Sequence, residues 1–262
     1  MSKFVELLRQ AARGGESSMG FGLGRKAAAQ RSAMLLAVTL PRNEEALARA
    51  SLEAGAAALV LPPNAPGGET ILKLAGERPC GTFAEDRLTP ADLAALAERG
   101  FDFVVLYAHH APADLGTAKI GRVIAVDHTY DERLIATLNL LDVDAVLAAI
   151  LPPAEQGQPL TFQSVMRYRL LADLVRQPLI VPAQAALRPE DVATLWHAGA
   201  EALLLQGPVL GESAASLRAT IAAFRQAITT LPRTRRFRRT SEERVVLPAT
   251  TPAALEEEEQ EW

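Results

Sequence analysis

Residues 177–211 read QPLIVPAQAALRPEDVATLWHAGAEALLLQGPVLG. Leu179 to Val181 and Ala202 to Leu205 are short, unbroken apolar runs, the pattern of parallel strands buried on both faces. Between them Pro189 opens a helix and Gly199 stops it. This is a strand, a helix and a second strand, and the rest of the chain can be aligned on it.

Three segments share the same order of helix end, glycine stop and apolar strand: LEAGAAALVL (52–61), AERGFDFVVL (97–106) and WHAGAEALLL (196–205). LDVDAVLAAI (141–150) holds the equivalent place without the glycine. These predict strands two, four, six and eight, spaced by roughly 45–55 residues, two βα units apart. Strand one is read at 34–40, strand three as CGTFAE from Cys80, strand five at 122–128, and strand seven opens the quoted stretch. The intervening helices begin at a cap on Asn43, around Thr70, at the Thr89-Pro90-Asp92 cap, near Asp131, at TFQSVMRYRLLADLVR and at Ser213. Eight parallel strands joined by right-handed crossovers close into a (β/α)8 TIM barrel, whose usual length is about 250 residues. The fold class is therefore α/β. Residues 1–31 are an N-terminal amphipathic helix and glycine-rich connector, 32–231 the barrel, and 232–262 a basic-then-acidic tail.

Composition narrows the function classes. The 262 residues are 49% hydrophobic and 22% charged, with a formal net charge of −4, so no global field favours nucleic acid as a partner. One cysteine, Cys80, excludes an internal disulfide and any multi-cysteine metal site. There is no apolar run of the roughly 20 residues that span a membrane, and no apolar centre of a signal peptide. The expectation is a cytoplasmic protein. The glycines at 20, 22 and 24 follow a helix rather than a strand and lack the dinucleotide spacing. Arg233, Arg235, Arg236, Arg238 and Arg239 precede the acidic run Glu256 to Glu259. Such a tail can pair with acidic surface and mediate homo-oligomer assembly.

Catalytic groups of a barrel sit at the C-terminal ends of its strands. Those ends offer Arg42, Asn64, Glu85, Asp86, Tyr107, His109, His110, Asp127, His128, Gln184 and Gln206. Two chemistries fit the cluster at strands three to five. Glu85 or Asp86 with His109 and Asp127 or His128 is a mixed oxygen and imidazole donor set for a divalent metal. Alternatively Asp127 orients His128 or His109, a metal-free acid/base pair. The same residues also serve as loop caps in a barrel that does no chemistry. Imine chemistry is not expected: Lys119 precedes strand five, Lys73 is on a helix, and no strand run carries a lysine.

The stretch AQAALRPEDVATLWHAGAEALLLQGPVLG resembles the phosphate-binding half of the (β/α)8 barrels that include thiamine-phosphate synthase, indole-glycerol-phosphate synthase and the FMN-dependent oxidoreductases. The resemblance implies backbone contacts to a phosphate from glycines after strands seven and eight. Here Gln184, Ala185 and Ala186 stand where those families have a glycine pair, while Gly207 and Gly211 flank Pro208. These observations lead to an expected lyase or isomerase acting on a small anionic substrate, and the resemblance implies a phosphorylated one. His109, Asp127 and His128 would be catalytic, with Arg42, Asn64, Gln184, Gln206 and Gly207 at the substrate. A catalytically degenerate barrel that assembles through its tail is the alternative. An FMN oxidoreductase is a third reading, opposed by the missing lysine and glycine pair.

Overall fold

The computed structural model describes residues 2–12, 32–115 and 118–232. The glycine-rich connector and the tail from 233 onward lie outside the described residues. The strands are β1 (Leu35–Thr39), β2 (Ala58–Leu61), β3 (Cys80–Ala84), β4 (Phe103–Tyr107), β5 (Gly121–Asp127), β6 (Ala145–Ala149), β7 (Leu179–Pro182) and β8 (Ala202–Leu205). Each pairs in parallel with the next, and β1 pairs with β8 from Leu35↔Ala202 to Val38↔Leu205, which closes the barrel.

The unbroken apolar runs follow from burial on both faces. Alternate residues such as Ala37, Val60, Val105, Ala125, Leu147 and Leu204 fill the barrel interior. Their neighbours Val38, Leu59, Val104, Ile124 and Leu203 pack outward under the helices. Gly81 in β3 has a steric reason: a Cβ there would lie 2.4 Å from the Phe103 ring. The helices are α1 (Lys3–Ala12), α2 (Glu45–Glu53), α3 (Gly68–Ala75), α4 (Pro90–Glu98), α5 (Glu132–Thr137), α6 (Pro153–Gln156), α7 (Phe162–Leu174), α8 (Val192–Ala198) and α9 (Ala214–Thr229). The repeated glycine stops are left-handed, with φ of +101° at Gly55, +96° at Gly100 and +117° at Gly199. At Gly199 a Cβ would also sit 2.4 Å from that of Ala172, so both backbone and packing require glycine. Thr89 and Asp92 form the expected capping box at α4.

Three details differ from the sequence reading. Asn43 does not cap α2. Its Nδ2 donates instead to the carbonyls of Ala65 (3.0 Å) and Pro62 (3.4 Å), tying the loops after β1 and β2 together, and Glu44 occupies the N-cap without a side-chain bond. Pro189 opens a 3-10 turn, Pro189–Asp191, that runs into α8. The connection from β4 to β5 has no helix among its described residues, so that βα unit is abbreviated.

Helix α1 seals the N-terminal end. Its apolar face, Phe4, Val5, Leu8 and Ala11, is buried against the barrel floor, and Phe4 stacks on Phe103 at 4.1 Å between ring centroids. Asp102, just before β4, accepts from the Ser2 hydroxyl (2.7 Å) and from the backbone N–H groups of Lys3 (2.8 Å) and Phe4 (2.8 Å). A carboxylate at a helix N-terminus satisfies free donors and meets the positive end of the helix dipole. Gly121 leaves the space: a Cβ would lie 2.7 Å from the Ser2 hydroxyl and 2.9 Å from Val5. None of the helices in the described residues is long and apolar enough to cross a membrane.

Candidate functional site

With α1 packed on the floor, the C-terminal end of the barrel is where this fold carries its sites. There the strands deliver inward-facing residues in a ring. The strand order places β3 across from β7 and β4 across from β8. Phe83 and Tyr107 come from β3 and β4, with ring centroids 5.4 Å apart and planes at 66°. Gln184 and Gln206 follow β7 and β8. These four, with Leu147 of β6 and Gln156 of α6, line a cavity of ≈ 200 Å³. The aromatic pair faces the amide pair, and no described residue lining the cavity is charged.

Gln184 is the unusual member. It is only 5% exposed, yet neither its Oε1 nor its Nε2 has a hydrogen-bond partner. An unmade hydrogen bond at a buried polar atom costs about 1–3 kcal/mol. Most buried polar groups are satisfied, so such an amide is one that a bound molecule would pair. Gln184 is held in place by local chain geometry: Ala183 N–H donates to the Leu204 carbonyl at 2.8 Å, and Ala185 N–H donates to the Gln156 carbonyl at 3.0 Å.

Beside this cavity, at the ends of β4 and β5, lies a second group of side chains. His109 stacks on Tyr107 (5.5 Å), contacts His110 (4.2 Å) and approaches the Tyr130 hydroxyl through Nδ1 at 3.5 Å. Burial raises the Tyr107 phenol pKa, and the nearby Asp127 charge adds to it; the same causes act in the same order on Tyr130. Both phenols therefore stay protonated, as donors, at neutral pH. For Asp127, burial pushes the carboxyl pKa up. The hydroxyl and N–H of Thr129, with the charges of His128 and His109, outweigh it and hold the group below the usual carboxylate range. Asp127 is thus an anion, and Tyr107 connects its environment to the cavity.

The sequence-derived residues divide between these places and the rim. Gln184 and Gln206 line the cavity; His109 and Asp127 share the neighbouring cluster. His128 is exposed and lies close enough to act on Asp127 electrostatically. Arg42 is exposed and paired with Glu44 at 2.6 Å, and Glu85, Asp86 and Asn64 are exposed at the rim. Gly207 has φ +56° with open space around it, in the 3-10 turn Gly207–Val209 after β8. Among the described residues no three of His, Cys, Asp and Glu come together in a way that could hold a metal ion. Cys80 is buried beside Asp102 at the floor, and burial first, then that charge, push its thiol up to about 12. Phe83, Gln156 and Tyr168 also line the cavity, and the sequence reading did not single them out. The inward alternation Gly81, Phe83 was the available signal for Phe83.

Against known proteins, no family model and no curated protein matches the chain. Solved structures do. A native KDPGal structure superposes with a TM-score of 0.54 at 20% identity, covering 74% of this chain and 94% of that one. Thiamine phosphate pyrophosphorylase from Pyrococcus furiosus gives 0.55 at 16% identity, over 75% and 95%. Orotidine 5'-phosphate decarboxylase from Pyrococcus horikoshii gives 0.54 at 13% identity, over 73% and 99%. The chain is a (β/α)8 barrel, similar in fold to these three proteins. At these identities the likeness carries the fold alone.

Proposed function

We propose that the barrel is a small-molecule enzyme of the lyase or isomerase type, with its substrate in the cavity beneath Gln184 and Gln206. The observation that carries this reading is the mouth cavity holding a buried amide with both polar ends free, next to an acid/base cluster. Tyr107 reaches both. Its protonated phenol is suited to donate to a substrate oxygen on which charge develops, while Asp127, an anion at neutral pH, is suited to stabilise positive charge on a neighbouring imidazole. His109, which lies between Tyr107 and Tyr130, would be the group that takes the proton. The anionic handle expected from sequence gains no support from the lining, which is neutral, and Arg42 is occupied by Glu44. A polar, uncharged substrate suits the cavity better. The test is a comparison of wild type with Tyr107→Phe and Asp127→Asn incubated with a fractionated small-molecule extract, followed by mass spectrometry. A compound consumed by wild type and spared by both variants supports the reading. Identical profiles from all three proteins would overturn it.

A second reading, assembly, also has its own observation. The exposed large hydrophobic side chains of the described residues are Leu134, Leu140, Leu141, Phe162, Met166 and Leu170. Phe162, Met166 and Leu170 recur every fourth residue along one face of α7, which packs beside α5. Phe162 is 80% and Leu140 85% exposed, and large apolar side chains held out on neighbouring elements are what a protein interface would cover. One stripe per chain suits a two-fold contact with a second copy, in which the same face serves both partners. Sedimentation of Met166→Glu against wild type decides it. A dimer that becomes a monomer in the variant supports this face, and a monomeric wild type removes it.

A further inference from the structure

From the same cavity we infer the chemical class of the ligand: a neutral, flat, single-ring molecule that presents a cis-amide edge, as a lactam, pyridone or pyrimidinone does, to Gln184. This deepens the reading of the mouth as a small-molecule site and rests on it. Four observations converge. Gln184 is 5% exposed with Oε1 and Nε2 both unpartnered, so it offers one acceptor and one donor side by side. Only a ligand edge with a donor beside an acceptor pairs both. A carboxylate brings acceptors alone and leaves Oε1 against another oxygen; an ammonium pairs Oε1 alone. Exchanging the two amide atoms gives the same requirement, so the inference does not depend on which way the amide is turned.

The remaining three observations set charge, shape and size. No charged side chain among the described residues lines the cavity, so a charged ligand would lose hydration there without a counter-charge. Phe83 and Tyr107, edge to face at 5.4 Å, stand on the strands opposite the two glutamines and form an aromatic wall for a planar ring. The cavity holds ≈ 200 Å³, below the roughly 300 Å³ at which pockets for drug-sized ligands begin, which suits a seated group of about one ring. Gln206 and Gln156 supply further amides for a ring substituent.

The experiment uses the full chain and three probes: 2-pyridone, N-methyl-2-pyridone, which lacks the donor, and benzoate, which is flat but anionic. Binding is measured by calorimetry, and the Gln184 side-chain amide is followed by NMR. The expected result is that 2-pyridone shifts the Gln184 amide and binds at least tenfold tighter than either other probe. Gln184→Leu and the near-isosteric Gln184→Glu, both checked for wild-type circular dichroism and a cooperative melt, then lose that preference. Equal binding of 2-pyridone to wild type and both variants would overturn the role of Gln184. Benzoate, or inorganic phosphate added as a fourth probe, shifting Tyr107 and Gln184 while 2-pyridone does not would overturn the ligand class and leave the mouth as a site. If no probe perturbs the mouth residues, the ligand class and the mouth reading fall together.

Discussion

The two ends of the barrel treat their polar groups differently. At the floor, Asp102 accepts three donors from the start of α1. Asp144 accepts the Arg122 N–H at 3.0 Å and lies 3.2 Å from Arg9, and the Glu201 carboxylate accepts the Leu179 N–H at 2.7 Å. Apart from the Gln177 side-chain oxygen, the buried side-chain atoms without a partner are toward the mouth: both ends of Gln184, His110 Nδ1 and Asn43 Oδ1. The same strands supply both ends, so composition does not explain the contrast. What differs is closure. A helix covers one end, and its free N–H groups are matched by a carboxylate. The other end keeps an amide desolvated and unmatched, which stability alone would not select.

If that contrast is right, floor substitutions reduce stability and spare binding, and mouth substitutions do the reverse. The largest effect expected is for Phe4→Ala. It removes a ring that is 1% exposed and stacked on Phe103, at a cost of about 3–5 kcal/mol by chemical denaturation. Equal stability of this variant and wild type would mean α1 is not the floor. Asp102→Ala leaves three donors without their acceptor and is expected to cost about 2–3 kcal/mol, with ligand affinity at the mouth unchanged.

A smaller effect separates the ends by pH. Asp127 has a folded pKa below its unfolded value of about 3.9. Its contribution is therefore present above about pH 4 and lost as pH falls through the folded pKa. Melting temperature followed from pH 6 to pH 2 should fall less steeply in Asp127→Asn than in wild type over that acid window, and the two curves should run parallel above it. Curves that differ only above pH 5 would contradict the assignment.

Much of the fold was legible because it rests on local signals. Gly55, Gly100 and Gly199 end helices in a conformation that glycine favours, and the apolar runs between stops have strand length. Burial on both faces of a parallel sheet makes those runs continuous. The abbreviated unit between β4 and β5 carried no such signal, since an unrepeated loop has no pattern to read. Asn43 resembled a cap because caps are recognised from neighbours in sequence, whereas its partners Pro62 and Ala65 belong to the next loop. Asp102 was illegible for the same reason on a larger scale: its partners lie near residue 3. At the site, Gln184 and Gln206 could be read as polar groups at strand ends. Their pairing with Phe83 and Tyr107 could not, because it exists only once eight strands close and bring β3 opposite β7.

The most direct measurement is the melting temperature of Gln184→Leu beside its affinity for 2-pyridone. Replacing an unpartnered buried amide with an apolar side chain of similar size should stabilise the chain by about 1 kcal/mol. For a barrel of this size that raises the melting temperature by roughly 2–4 °C, while probe binding falls at least tenfold. A variant that melts well below wild type would show that the amide is a structural group with partners inside the protein. In that case the mouth would be no different in kind from the floor.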